Sequence, residues 1–390
     1  MAGGQGGGRR LTWAEVSARR MGRQGLTAPL PGATPADAVA AMCGAHAQVL
    51  SAAELSVGLR LAGTTRSDVR DAVWEERSLV KTFGPRGTVH LLPARDLPMW
   101  VGALSALPKP RSPFADGVRL TDEQAGLVLA AIADALDDAE LTVDELTGAI
   151  VERVGSWAGD LVMPAFQGMW PRWRQALAPA GTRGLLCFGP GRARNVTYTS
   201  PRRWLPDLVP QEPEVAVDGL LRSYLRAYGP VSHQALATWL GTRPGWAAER
   251  LAGLGAEVEQ VEVEGSIGWQ LAADDVPDSG PTGVRLLPYF DAYVVACQPR
   301  QRLFRGAAAQ RALSPTGQAG NFPVLLVDGT VGGVWHLRSS GRKATLTVEP
   351  LVALGARQRR LLDDEASRVG EVLEATVSLT VGPVTVGAHA

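Results

Sequence analysis

His46 and Gln48, two residues apart in the apolar run Gly44-Ala45-His46-Ala47-Gln48, are the side chains here best suited to handling a water molecule. A neutral imidazole accepts a proton, and a carboxamide both donates and accepts hydrogen bonds, so the two together could hold and deprotonate one water. Their direction depends on the backbone. In a helix, side chains at i and i+2 point about 200° apart; in an extended segment both project to one side. The apolar positions Ala38, Val39, Ala41 and Met42 predict a helix ending just before the pair. Two readings stand at this point. Either His46 caps that helix at its C-terminus, where an imidazolium is favoured, with Gln48 on the surface, or the chain is extended and the pair shares a water.

Two further clusters carry polar chemistry. Arg86-Gly87-Thr88-Val89-His90 follows Phe83-Gly84-Pro85, a turn between two β-branched, apolar runs. Arg86 at such a tip suits a phosphate, while Thr88 and His90 share one face of a strand and are pocket candidates. The alternative is a structural hairpin whose histidine is satisfied in the core. Asp291, within Leu286-Leu287-Pro288-Tyr289-Phe290-Asp291-Ala292-Tyr293, is a carboxylate in an apolar environment. It needs a partner or a raised pKa. Arg300, just beyond, is the expected salt-bridge partner; a direct role as a pocket acid is the other use. Cys43, Cys187 and Cys297 lie far apart, without CxxC spacing. Cys43 and Cys187 read as small core residues, and no metal site or cofactor is expected. GxGxxG, Walker, GxSxG and HExxH patterns do not occur.

The elements that must position these residues repeat a rhythm of short helices followed by paired strands. The first copy reads as helices over Pro35 to Met42, Ala53 to Ala62 and Arg66 to Glu76, then strands Leu79 to Phe83 and Thr88 to Leu92. The second has helices Leu120 to Leu136, with Thr121 as N-cap, and Thr142 to Val154, opened by the capping box Thr142-Val143-Asp144-Glu145. Met163 to Leu177 completes its helical part, and Gly184 to Phe188 and Asn195 to Thr199 are its strands. The third has helices Val215 to Tyr228, His233 to Leu240 and Gly245 to Leu254, then strands Glu257 to Glu264 and Gly268 to Leu271. Helices closed by a hairpin is the winged-helix order. The last hundred residues read as strands Val284 to Leu287, Tyr293 to Ala296, Pro323 to Val327, Gly332 to Leu337, Ala344 to Val348 and Thr376 to Val381. One helix, Ala356 to Glu374, interrupts them, which suggests a small β-barrel or α+β cap.

The predicted fold class is therefore α+β: three tandem winged-helix domains and a C-terminal β-barrel-like element. The expected divisions are a disordered tail over 1–10, winged-helix regions over 11–118, 119–210 and 211–280, and a β-rich domain over 281–390. At 390 residues, with 45% hydrophobic and 20% charged residues, the composition is that of an ordinary globular protein. No apolar run reaches membrane-spanning length, and the Gly-rich start does not read as a signal peptide. The cytoplasm is the expected compartment.

The net charge of zero conceals segregation. Leu161 to Pro206 has no Asp or Glu yet contains Arg172, Arg174, Arg183, Arg192, Arg194, Arg202 and Arg203. Ala292 to Val327 repeats the pattern with Arg300, Arg302, Arg305 and Arg311. Such runs attract polyanions even in a neutral chain. Arg86, Arg183, Arg192, Arg194, Arg300, Arg302 and Arg305 are the expected DNA contacts.

Several of these motifs, in this order, resemble the AlkZ/YcaQ-like family of bacterial winged-helix DNA glycosylases. The resemblance runs from about Arg19 to Leu373. It rests on Phe83 to Leu92, on Thr182-Arg183-Gly184-Leu185-Leu186-Cys187-Phe188-Gly189-Pro190, on Leu286 to Arg302 and on Gly332-Gly333-Val334-Trp335. It implies winged helices and a barrel-like element around a DNA-sized channel. The implied activity is monofunctional hydrolysis of the N-glycosidic bond of alkylated purines, bulky N7-alkylguanine adducts among them. Base excision repair and genotoxin self-resistance are the implied settings. The partner would be double-stranded DNA, met by a monomer at the nucleoid. The family's catalytic signature is Gln, an apolar residue, then Gln or Asp; here the matching positions are His46-Ala47-Gln48. Gln48 carries over, and His46 departs from the family's first glutamine. A non-catalytic winged-helix DNA-binding or lesion-sensing protein would share the architecture but has no need of the pair. A protein that sequesters the free genotoxin is a third reading.

Overall fold

The computed structural model describes residues 9–108, 114–165, 168–275 and 280–388. Residues 1–8, most of the expected tail, lie outside this set, whereas Arg10 and Leu11 already form a strand. The chain is mixed α+β and forms two compact units. One gathers Met1–Arg70, Leu221–Trp239 and Arg243–Ala390; the other comprises Asp71–Leu220 with Leu240–Thr242. Each therefore draws on more than one of the stretches delimited from sequence. Among the described residues, no helix is long and apolar enough to cross a membrane.

In the first unit, helix Trp13–Arg23 opens on a capping box formed by Thr12 and Glu15. Its polar side is buried rather than solvated. Arg19 donates to the Gln270 amide oxygen at 2.8 Å, and Arg20 donates to the carbonyls of Pro230 and Gln298 at 2.7 and 2.9 Å. Burial pulls the Arg19 guanidinium down to about 10 despite the nearby Asp274 carboxylate. Strand Arg10–Leu11 runs parallel to Val258–Val263, which pairs antiparallel with Ser266–Leu271.

The C-terminal part of this unit is a five-stranded sheet in the order Val284–Leu287, Val324–Val327, Thr330–Ser340, Lys343–Pro350, Thr376–Val381. The first three pairings are antiparallel and the last is parallel. Helix Ala356–Leu373 supplies the crossover that a parallel pair requires. The sheet is curled into a half barrel, which meets the barrel-like expectation in part. Its core joins Leu286, Leu325, Trp335, Leu346 and Val348 to Leu362, Val369 and Val372 of that helix, and takes in Leu55 from helix Leu50–Gly58. A side-chain carbon on Gly58 would fall 2.5 Å from Val372 Cγ1, so glycine sets how closely helix Leu50–Gly58 seats there.

In the second unit, strands Leu79–Phe83 and Val89–Pro93 form an antiparallel hairpin as expected. Helices Asp122–Leu136 and Val143–Val154 start at the anticipated caps Thr121 and Thr142. Strands Cys187–Phe188 and Thr197–Thr199 pair, and the latter also pairs with Glu140–Thr142.

Two expectations fail. Met163 to Leu177 is helical only in its last part: Leu161–Ala165 pairs antiparallel with Gly168–Pro171, a 3-10 segment follows over Arg172–Ala176, and Leu177 opens helix Leu177–Thr182. Pro164 and Pro171 lack the N–H a helix interior needs, so the first part of the stretch takes extended backbone. Tyr293 to Ala296 is not a strand but lies in the short helix Ala292–Ala296, because the Asp291 carboxylate caps it by accepting from the Tyr293 N–H at 3.0 Å. Ala292, Tyr293, Val294 and Ala296 are all buried, so their pattern carries no period to read.

The Gly58 contact makes a stability test. Gly58→Ala must displace a stiff, fully buried valine and is expected to cost about 1–3 kcal/mol in urea denaturation. Gly22→Ala, in open space within helix Trp13–Arg23, is expected to be neutral or stabilising.

Candidate active site

The His46–Gln48 segment begins where helix Pro35–Ala41 stops. Thr34 and Asp37 form the helix's capping box, and Met42 is its C-cap. The end is a Schellman closure: the Gly44 N–H bonds the Val39 carbonyl at 3.0 Å, and the Cys43 N–H bonds Ala40 at 2.9 Å. Cys43 takes φ +53° at the position that ordinarily favours glycine, and Gly44 follows at φ +91°. These two residues turn the chain out of the helix, and Ala45–His46 is extended. The extended backbone covers the first residue of the pair only, because the chain bends at Gln48 and Val49. His46 is half-buried, Ala47 is fully buried, and Gln48 is exposed just before helix Leu50–Gly58.

Both flanks are anchored in the buried interior. The Tyr228 hydroxyl donates to the Met42 carbonyl at 2.7 Å. The carboxylate of Asp291 is likewise buried, 1% exposed. Its partner is not the expected Arg300 but Arg60, just beyond helix Leu50–Gly58. Arg60 Nη1 and Nη2 donate to Oδ2 and Oδ1 at 2.8 and 2.9 Å, and the Ser56 hydroxyl donates to Oδ2 at 2.6 Å. Arg300 instead donates to the carbonyls of Val294 and Val295. The four contacts to Asp291, counting the Tyr293 N–H, occupy its acceptor positions. The carboxylate is thus a buried structural anion and not an open pocket acid. Arg60 and Ser56 were not legible as its partners, since nothing local to either residue marks it.

Thr88 and His90 belong to the second unit. The Thr88 carbonyl accepts from His90 Nδ1 and from the Gly84 N–H, each at 2.9 Å, and its hydroxyl donates to Pro85. His90 is 2% exposed, and burial lowers its imidazole to about 4. Gly84 makes room for the ring: a side-chain carbon there would lie 2.6 Å from Nδ1. Of the two readings of this hairpin, the satisfied core histidine matches the geometry. The Cys187 thiol, buried in the same unit, is pushed far above its ordinary pKa by desolvation.

The candidate DNA-contacting arginines divide by exposure and pairing. Arg86, Arg183, Arg194 and Arg305 are exposed. Arg192 forms an ion pair with Glu145 and Arg302 with Glu264, so acids distant in sequence neutralise part of each basic run. Arg172 and Arg311 are likewise matched to Asp160 and Glu349. Among the described residues, no three His, Cys, Asp or Glu side chains gather as a metal site.

Comparison with known proteins places this architecture. The family model for DNA glycosylases of the AlkZ-like type matches residues 39–372, and the chain belongs to that family. It is an enzyme of the class that hydrolyses N-glycosyl bonds in DNA. A curated relative, the interstrand DNA cross-link repair glycosylase of Streptomyces sahachiroi, is 32% identical over 345 residues, covering 84% of this chain and 88% of the relative. The solved structure of the DNA glycosylase AlkZ from the same organism superposes with a TM-score of 0.78 at 28% identity, covering 96% of this chain and all of that one.

His90 gives this unit a pH dependence. Once unfolded, its imidazole ionises near the ordinary value of about 6.5, whereas the folded ring resists down to about 4. Between those values the unfolded state binds the extra proton, so stability falls as the pH drops through the window and levels off below it. The full loss is about 3 kcal/mol. Urea denaturation near neutral pH and near the folded-state value should show the wild type losing that much more than His90→Gln; equal losses would refute the assignment.

Proposed function

We propose that this chain is a monofunctional DNA glycosylase for alkylated purines, with His46 and Gln48 as its water-handling pair. The observation that carries the proposal is the extended Ala45–His46 backbone, with Gln48 exposed two residues on, between flanks anchored in buried structure. Leaving the helix frees His46 and Gln48 from the roughly 200° separation of a helical i, i+2 pair, as a shared water requires. The family's signature falls on these positions, with histidine in place of the first glutamine.

The preferred substrates are N7-alkylated guanines, bulky adducts included. Alkylation at N7 makes the base cationic and weakens the bond from N9 to C1′, so the base departs neutral with the bonding electrons and needs no strong acid. The remaining task is to stabilise an oxocarbenium-like sugar and deliver water to C1′. His46 accepts the water's proton as the new C–O bond forms, and Gln48 orients the oxygen. The product is an abasic site. Lysine chemistry leading to strand cleavage is disfavoured: Lys81, the lysine nearest in sequence, packs on the Phe188 ring at 4.7 Å.

The relative named for interstrand cross-link repair extends the proposal to cross-linked guanines, with a role in base excision repair and in self-resistance to a genotoxin. Three helix-helix-hairpin cycles, read as tandem winged helices, would grip duplex DNA through Arg86, Arg183, Arg194 and Arg305, the enzyme acting as a monomer in the cytoplasm at the nucleoid. A binder or lesion sensor without catalysis is the competing reading, and base release decides between them.

With DNA containing N7-methylguanine, His46→Ala and Gln48→Ala are each expected to lower single-turnover base release by about 10²–10⁴-fold. The wild-type rate should fall in acid as the imidazole is protonated. Wild-type rates in both variants would sink the assignment. DNA affinity should weaken steeply with salt, and removal of Arg183, Arg194 or Arg305 should each reduce the log–log slope by about 0.9. Affinity indifferent to salt would exclude a phosphate-gripping surface.

A further inference from the structure

We infer that the buried Arg60–Asp291 pair is a positioning device for the His46–Gln48 loop, acting through Ser56 and Met42; this rests on the reading of that loop as the water-handling pair. Ser56 is the node. Its hydroxyl donates to Asp291 Oδ2 at 2.6 Å, accepts from Arg60 Nη1 at 3.0 Å and lies 3.8 Å from the Met42 thioether. Met42 is fully buried, and its carbonyl is held separately by Tyr228. The residue ending helix Pro35–Ala41 is therefore fixed at its backbone and at its side chain. The ion pair fixes the other flank as well, because Arg60 Nη1 also binds the Ser56 carbonyl at 2.8 Å in the last turns of helix Leu50–Gly58.

Between these anchors, Cys43 holds a left-handed φ of +53°. A non-glycine residue stays in that region only where its surroundings over-determine it. Loosening the Met42 anchor lets Cys43 relax toward ordinary backbone, and the extended run through His46 then loses its direction. The chemistry depends on that direction: a misplacement of about 1 Å can cost on the order of 10²-fold in rate. Arg60 and Asp291 never touch the reacting atoms in this scheme; they hold what does.

The test uses the full chain and DNA containing N7-methylguanine. Ser56→Ala removes the node with little volume change. Arg60→Met combined with Asp291→Leu replaces the ion pair by apolar side chains, an exchange that buried pairs often tolerate without loss of stability. Both variants are expected to release base at least about tenfold more slowly in single turnover, with unchanged DNA dissociation constants. Added to His46→Ala, Ser56→Ala should cause no further loss, because residues that work through one another are not additive. Full rates in the folded variants, or losses that multiply in the His46→Ala background, would overturn the positioning role. A wild-type rate for His46→Ala alone would instead overturn the catalytic reading of the loop.

Discussion

The Arg60–Asp291 ion pair holds one charge of each sign with no side-chain exposure. Removing two ions from water costs several kcal/mol apiece, recovered only by close geometry and by hydrogen bonds to every remaining lone pair. Here a two-pronged guanidinium contact, the Ser56 hydroxyl and the Tyr293 N–H meet that condition for the carboxylate, while the buried Arg60 Nε has no hydrogen-bond partner among the described residues. The partners are 231 residues apart in sequence. The pair therefore ties helix Leu50–Gly58 to the C-terminal segment in the folded protein. Neither charge is tolerable without the other, so the N-terminal motif and the C-terminal sheet region depend on one another for folding.

The same economy of charge recurs through this unit. Arg19, Arg20 and Arg23 of helix Trp13–Arg23, with its C-cap Gln24, reach acids, amides and carbonyls between Arg226 and Gln298. A chain with 39 basic and 39 acidic residues has the means to do this, and spends many arginines on internal recognition. Arginine suits the work because it stays charged and presents several donors in a rigid fork. The consequence for a DNA-binding enzyme is that acid-free stretches overstate the basic surface. Arg192 and Arg302 lie in such stretches, yet each meets a glutamate from elsewhere in its unit.

Much of the fold was legible because its signals are local. Thr121 and Thr142 mark helix starts by side-chain chemistry that needs nothing from tertiary structure. The hairpin Leu79–Phe83 with Val89–Pro93 announces itself by alternation and a Gly-Pro turn. Helix Trp13–Arg23 went unread although Thr12 and Glu15 spell a capping box, because its buried face carries arginines where a core helix is expected to carry apolar residues. Tyr293 to Ala296 misled for the opposite reason: a short helix buried all round shows no period. Asp291 was rightly singled out as a carboxylate in need of a partner. The choice of Arg300 over Arg60 followed sequence proximity, which says little once a chain has folded back on itself.

The His46–Gln48 pair shows what a fold adds to a motif. Read as letters, the segment could cap a helix or extend from it, and those alternatives differ in whether the side chains can meet one water. The outcome is set by the two residues before it. Helix Pro35–Ala41 stops at Met42 because the chain turns through left-handed backbone at Cys43 and Gly44, and the Tyr228 hydroxyl donates to the Met42 carbonyl at that end. A glycine at position 43 would adopt that turn without strain, so the cysteine is held there by its surroundings. The geometry of the candidate catalytic pair is thus imposed from outside the motif, by a tyrosine, a serine and an ion pair that no local pattern reveals.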